Sequence, residues 1–330
     1  MAKRILFILL AVVMAIATAL PVLAVSVTTG VQIQTGGGTI PLVKCKWETP
    51  DADPATPGTQ VNPPMTFGGT TPVTYWAVVT DAEDNGKVAQ VYVDVFHPAG
   101  PPEDGSFKYE VPMNLVTDKL GAGLAAFEAA LKANLVTFSP GITADDVRYE
   151  LTKCTAEVWS GTADLSYHQP CGDYLVKAFA IDTNGNLSAA LNNTLTYVCG
   201  TGVEIDFTAV DYGSVSIGKG KWIAGDVVWG TADKPTVRNI GNTNAYIWIK
   251  QDDMGMGKDV TGMWNVQFDA RMGNDPANEV LFDPMVNTML PNYLPLCNMD
   301  ELDFSIHVKK AVSGRVYTGT MWITSTKAPF

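Results

Sequence analysis

Short runs in which apolar and polar residues alternate, separated by glycine, proline and asparagine turns, predict a mainly β protein made of two β-sandwiches in tandem. Two observations refine this. The segment from Asp118 to Val136 departs from the alternation and carries helical spacing, so the first sandwich is expected to hold an inserted α-helix. The rhythm of short strands restarts at Val203, which puts the joint between the units at Thr201 and Gly202. A chain of 330 residues suffices for two sizeable cores.

Residues 1–24 have the pattern of an export signal. Lys3 and Arg4 form a basic start, Ile5 to Leu20 is apolar, and Val22-Leu23-Ala24 supplies small residues for cleavage. Thr18 and Pro21 interrupt the apolar run, which falls short of the roughly 20 residues of a spanning helix. The first cysteine, Cys45, lies far from the cleavage point, so no lipid anchor is expected. No later stretch is long and apolar enough to cross a bilayer. Without Lys3 and Arg4, 20 of the 22 basic side chains remain against 34 acidic ones, a formal charge of −14. That balance argues against nucleic acid or anionic lipid as a partner and favours solubility and affinity for cations.

Residues 25–40 form the next unit. Val25, Val27, Val31 and Ile33 alternate with polar residues and lead into Gly36, Gly37 and Gly38, the pattern of a free strand on a hinge. From 41 to 200, strands are expected at Val73 to Thr80, Val88 to Phe96, Arg148 to Lys153 and Tyr174 to Ile181. Asp84-Asn85-Gly86, the proline-rich stretch His97 to Pro102, and Asn184-Gly185 supply turn chemistry between them. In the helical segment, Leu120, Leu124, Phe127, Leu131 and Leu135 form one apolar stripe, weakened at its start by Gly121 and Gly123. Thr143-Ala144-Asp145-Asp146 reads as a capping box opening one short helical turn.

In residues 201–330, strands are expected at Val203 to Val210, Val227 to Trp229, Thr236 to Asn239, Ala245 to Lys250, Trp264 to Ala270, Phe304 to Lys309 and Tyr317 to Thr324. Short strands at this density are the signature of a sandwich.

Tyr174 to Ser188, with its turn Asp182-Thr183-Asn184-Gly185-Asn186, resembles the closing hairpin of bacterial and archaeal immunoglobulin-like (Ig-like) modules. Tyr75 to Asp81 followed by Val88 to His97 resembles an earlier hairpin of the same module. In the second half, Val210 to Val215, Pro235 to Asn242 and Ser313 to Thr324 resemble, in that order, the Ig-like sandwiches of prokaryotic surface and biofilm-fibre proteins, including the TasA and camelysin type. The resemblance implies two Ig-like sandwiches, the first departing from the pattern in its helix. It says little about a ligand, because one sandwich hosts many functions.

Five cysteines in an exported chain are read as two disulfides and one thiol, with several pairings open. The favoured pairing joins Cys154 to Cys171 across a short strand-turn-strand stretch and Cys45 to Cys199 across the terminal strands of the first sandwich. Cys297 is then the odd one, expected as a buried free thiol. The three histidines, His97, His168 and His307, make no helix-spaced pair, and the chain has no nucleophile elbow, zincin helix or phosphate loop. No catalytic residue is therefore expected. Asp81, Glu83 and Asp84 in one loop, and Asp182 and Asn184 in another, offer oxygens to calcium, against a simpler turn-forming duty. Calcium is the one cofactor the sequence suggests, and no other metal is. Met254, Met256, Met263 and Met272 read as core filling. Trp222, Trp229, Trp248, Trp264 and Trp322 read as core or interface rather than a sugar platform. Asn186 and Asn192 head glycosylation sequons.

The expectation that absorbs these features is a secreted structural subunit of an extracellular layer, sheath or filament. Val25 to Ile33 would leave their own domain and complete a sheet edge in a neighbouring copy. The first alternative is a secreted adhesin or carbohydrate-binding module contacting surface proteins or polysaccharide, and the second is a secreted enzyme of unrecognised type.

Overall fold

The computed structural model describes residues 38–82, 87–231, 233–310 and 314–330. The export signal, the donor residues Val25, Val27, Val31 and Ile33, the hinge residues Gly36 and Gly37, and the loop acids Glu83 and Asp84 lie outside them. The protein is mainly β, with sandwich layers and an inserted helical segment.

In chain order the first half contributes β1 (Leu42–Thr49), β2 (Thr59–Val61), β3 (Thr70–Thr80), β4 (Val88–Phe96), β5 (Phe107–Pro112), β6 (Asn114–Leu115), α1 (Leu124–Lys132), β7 (Thr137–Phe138), α2 (Ala144–Thr152), β8 (Glu157–Ser166), β9 (Gly172–Asp182) and β10 (Leu191–Tyr197). One sheet has the order β6-β8-β3-β1-β7 and the other β2-β10-β9-β4-β5. Inward valines and tyrosines from both fill the space between them, including Val73, Tyr75, Val93, Val176 and Tyr174. Burying such a side chain is worth about 1.5–3 kcal/mol. Strands β9 and β10 form the antiparallel pair that the Asp182 to Asn186 turn suggests. The other expected hairpin does not form, because β3 and β4 belong to opposite sheets and pair with β1 and β8, and with β5 and β9.

Helices α1 and α2 make a third layer. Phe127, Ala130, Val147 and Leu151 pack with Cys45, Trp47, Val78 and Val158 on the outer face of the first sheet. The expected single helix from 118 to 136 instead opens as a π-helical turn, Lys119–Gly123. Asp118 caps it by accepting from Gly121 N and Ala122 N at 2.9 and 3.0 Å, and a Cβ on Gly121 would collide with that carboxylate. The Thr143–Asp146 capping box is present, but it opens a full nine-residue helix rather than one turn. Arg148 to Thr152 is therefore helical with Lys153 at its C-cap, not the expected strand, because the cap and the buried Val147 and Leu151 one turn apart favour helix.

The second half adds β11 (Val203–Ile205), β12 (Gly220–Ile223), β13 (Thr236–Asn239), β14 (Asn244–Gln251), β15 (Val266–Met272), β16 (Val280–Phe282), β17 (Thr288–Leu294), β18 (Met299–Val308) and β19 (Met321–Ala328). Five strands run in the order β11-β13-β18-β15-β16, with β12 also on β18. Among the described residues the facing sheet has three, β17-β14-β19. Phe268, Phe304, Ile247, Ile249 and Leu290 lie in the core between them. Val227 to Trp229 is a turn rather than a strand, and Trp229 stacks on the Arg238 guanidinium at 3.7 Å.

Thr201 and Gly202 are held closely to the Gly241 to Thr243 turn. Asn242 accepts from Gly200 N at 2.7 Å and donates to Val198 O at 2.8 Å, while Thr201 and Thr243 share a hydroxyl contact of 2.7 Å. A Cβ on Gly241 would fall 2.4 Å from Gly200 O, so only glycine permits this approach.

The disulfide pairing differs from expectation. Cys171 is bonded to Cys199, just outside the Gly172–Tyr197 end of the β9–β10 ladder. Cys45 cannot meet Cys199, since it sits in the opposite sheet with its side chain turned to the helices and fully buried. Cys154 and Cys171 stand at opposite ends of β8, a ten-residue strand spanning roughly 33 Å, whereas bridged Cα atoms lie within about 7 Å. Cys45, Cys154 and Cys297 are free thiols, and Cys297 is exposed rather than buried.

Candidate functional site

The three-stranded sheet of the second sandwich carries exposed large apolar side chains, among them Met289, Tyr293 and Trp322. Along β14, Ala245, Ile247 and Ile249 face the core, which turns Tyr246, Trp248 and Lys250 outward. Register places Tyr293 of β17 opposite Tyr246 and Trp322 of β19 opposite Lys250. The two tyrosine rings meet edge to face at 6.2 Å, Lys250 Nζ lies 4.4 Å from the Trp322 ring centre, and Trp248 donates to Thr326 Oγ1 at 2.8 Å. This outward face is thus an aromatic row with satisfied polar ends.

Its two edges are unequal. Beneath β17 the core-facing Leu290 and Leu294 are fully buried, like Ile247 and Ile249 in the centre. Beneath β19 the core-facing Met321 and Ile323 are only half-buried, although they pack against the same core. Among the described residues no strand pairs with the outer side of β19. Its backbone groups and the apolar flank beneath them offer a place for one more strand.

A second candidate is a groove of about 470 Å³ lined by Lys219, Gln267, Asp269, Glu279, His307 and Lys309. The Asp269 carboxylate contacts His307 Nε2, and Ser305 Oγ lies 3.3 Å from that same nitrogen. A nucleophilic relay needs serine and carboxylate on different ring nitrogens. Here they compete for one, Ser305 is fully buried, and the other edge of the ring lies against Gly220. The grouping joins β15 and β18 across a ladder and does not arm a nucleophile. The sequence hides it because Asp269 lies 38 residues before His307 and meets it only across the ladder.

Of the residues expected to bind calcium, Asp182 spends its oxygens on its own turn. It accepts from Asn184 N, Asn186 N and Asn186 Nδ2, each at 2.8 Å. Burial pushes its pKa up, and these bonds outweigh that and hold it below the ordinary carboxylate value. Asp81, in the other expected loop, is buried and contacts Thr39. Among the described residues no group of three or more histidine, cysteine or acidic side chains is arranged to hold a metal ion. The Asn186 sequon is corrected by its burial: the side chain is 5% exposed and its nitrogen is engaged by Asp182. Asn192 is exposed on β10, and Gly38, the one described hinge residue, is also exposed.

One site was missed altogether. In the first sandwich Lys46 and Glu48 are both 0% exposed and paired at 2.6 Å, with Asn193 against them. The Lys-x-Glu pattern of β1 looks like an outward polar face. Only the helical layer, by taking Cys45 and Trp47, turns it into the interior.

No family model and no curated protein matches the chain. Among solved structures, a chain from the CsuC–CsuE chaperone–tip adhesion subunit pre-assembly complex of archaic chaperone-usher Csu pili of Acinetobacter baumannii aligns over 86% of this chain and 99% of its own, at 8% identity and TM-score 0.31. A chaperone–tip adhesin complex of CFA/I fimbriae biogenesis aligns over 89% and 87%, at 11% identity and TM-score 0.22. The native conformation of E. coli alpha-2-macroglobulin aligns over 81% and 16%, at 10% identity and TM-score 0.22. These overlaps are too loose to define a shared topology. No helix among the described residues is long and apolar enough to cross a membrane.

Proposed function

We propose that the chain is a secreted structural subunit of an extracellular layer, sheath or filament, assembled by strand addition at the outer edge of β19. The observation that carries this reading is the half-buried state of Met321 and Ile323, core-facing residues beside an edge that no strand among the described residues pairs. A strand laid against β19 would pair its backbone and cover both side chains. Val25 to Ile33 have the matching alternation, with valine and isoleucine on one face, and the glycines after them give the reach to a second copy. The motif resemblance to Ig-like surface and biofilm-fibre proteins agrees with such a role, and calcium is not required for it.

The test is strand complementation. A chain lacking residues 25–38 is mixed with a peptide of residues 25–36, and hydrogen exchange is followed at β19. The proposal expects the deleted chain to stay monomeric and the peptide to protect the amides of β19. Unchanged exchange at saturating peptide overturns it.

A second reading, an adhesin or carbohydrate-binding module, is favoured by the outward row of Tyr246, Trp248, Tyr293 and Trp322. It predicts polysaccharide retention that survives the 25–38 deletion and falls on Trp322→Ala.

A further inference from the structure

Burial of a lysine and a glutamate inside a sandwich is costly unless every polar atom has a partner. Lys46 Nζ donates to Glu48 Oε1 at 2.6 Å, to Val176 O at 3.3 Å, and to Asn193 Oδ1. Asn193 Nδ2 in turn donates to Glu48 Oε2 at 2.7 Å. Strand β1 holds the amine and the carboxylate, and β10 holds the carboxamide. Asn193 faces inward between Leu191 and Leu195, opposite Val176 on the β9 ladder. One carboxylate therefore bridges an amine and the amide nitrogen of a carboxamide whose carbonyl oxygen the amine already touches.

We infer that Lys46 and Asn193 form an intramolecular isopeptide bond, with Glu48 as the proton shuttle. Burial in this apolar interior lowers the lysine pKa, partly offset by Glu48, and so favours a neutral amine, its first proton passing along the contact to Glu48. The Nζ lone pair attacks Asn193 Cγ, forming the Nζ–Cγ bond. Glu48 delivers to Nδ2 the proton it took from the lysine and then accepts the second amine proton, so the Cγ–Nδ2 bond breaks and ammonia leaves. The product nitrogen keeps one hydrogen, which Val176 O is placed to accept. Glu48 ends in the protonation state in which it entered the exchange, and no oxidant, metal or second molecule takes part. Both reacting side chains are fixed by the folded sheets, which supplies the proximity that an uncatalysed transamidation lacks. The bond would tie the first strand of the sandwich to its last, and it holds whether or not the chain assembles.

Peptide mapping of the reduced, full secreted chain tests this. The expected result is a branched tryptic peptide joining the Lys46 and Asn193 segments, lighter than their sum by one ammonia, with no cleavage after Lys46. Glu48→Gln should return two separate peptides. Asn193→Asp should keep the branch but lose one water instead. If either variant fails to fold, the wild-type map still decides. Separate, unmodified Lys46 and Asn193 peptides from folded wild-type protein overturn the inference, as does ammonia loss traced to a succinimide elsewhere in the chain.

Discussion

Asn242→Ala measures how firmly the two sandwiches are joined. The side chain is fully buried and makes two hydrogen bonds across the joint, accepting from Gly200 N at 2.7 Å and donating to Val198 O at 2.8 Å. The backbone bond from Asn242 N to Gly200 O survives the change. Truncation leaves one amide and one carbonyl without partners, each costing about 1–3 kcal/mol when water is excluded. Both backbone groups belong to half-buried residues, so the lower end applies and the expected loss is about 2 kcal/mol. Urea unfolding followed by tryptophan fluorescence reads this as a lower midpoint at unchanged slope. Hydrogen exchange should accelerate at Gly200. A loss below about 0.5 kcal/mol, the range of ordinary surface substitutions, would refute the joint as drawn.

Phe127→Ala removes the centre of the helical layer over Cys45 and Trp47 and should cost about 3–5 kcal/mol in the same assay. Replacing Cys171 and Cys199 together by serine opens a loop with a separation of 28 residues and should lower stability by about 3 kcal/mol. Reducing agent should do the same to the wild type and nothing to the variant, as thermal unfolding will show. The Thr143 hydroxyl and then its backbone N–H hold the Asp146 carboxyl below its ordinary pKa. A depressed carboxylate stabilises the fold above the ordinary carboxylate range and loses that contribution as pH falls through its folded value. The urea midpoint of Asp146→Ala should thus trail the wild type at neutral pH and converge with it in acid.

Much of the β architecture is legible in the chain. Val88–Phe96 and Thr236–Asn239 match their strands, and the Asp182 turn joins β9 to β10 because its side chain can bond the turn amides. What is hidden depends on the third layer. Sequence periodicity reports one buried face per strand, and β1 is buried on both, so its lysines and Glu48 read as solvent-facing. The same layer conceals Cys45 and invites a wrong disulfide. Arg148 to Lys153 reads as a strand only if the Thr143 cap is given one turn instead of two and a half. The unequal edges of the three-stranded sheet have no local signature at all, since Leu290 and Ile323 are equally apolar and differ only in what lies beside them.

Electron microscopy of the purified chain, with and without residues 25–38, tests the assembly claim most directly. Strand addition at β19 predicts ordered filaments or sheets from the intact chain and dispersed monomers from the truncated one. An intact chain that stays monomeric at every concentration, or a truncated one that assembles just as well, would contradict it.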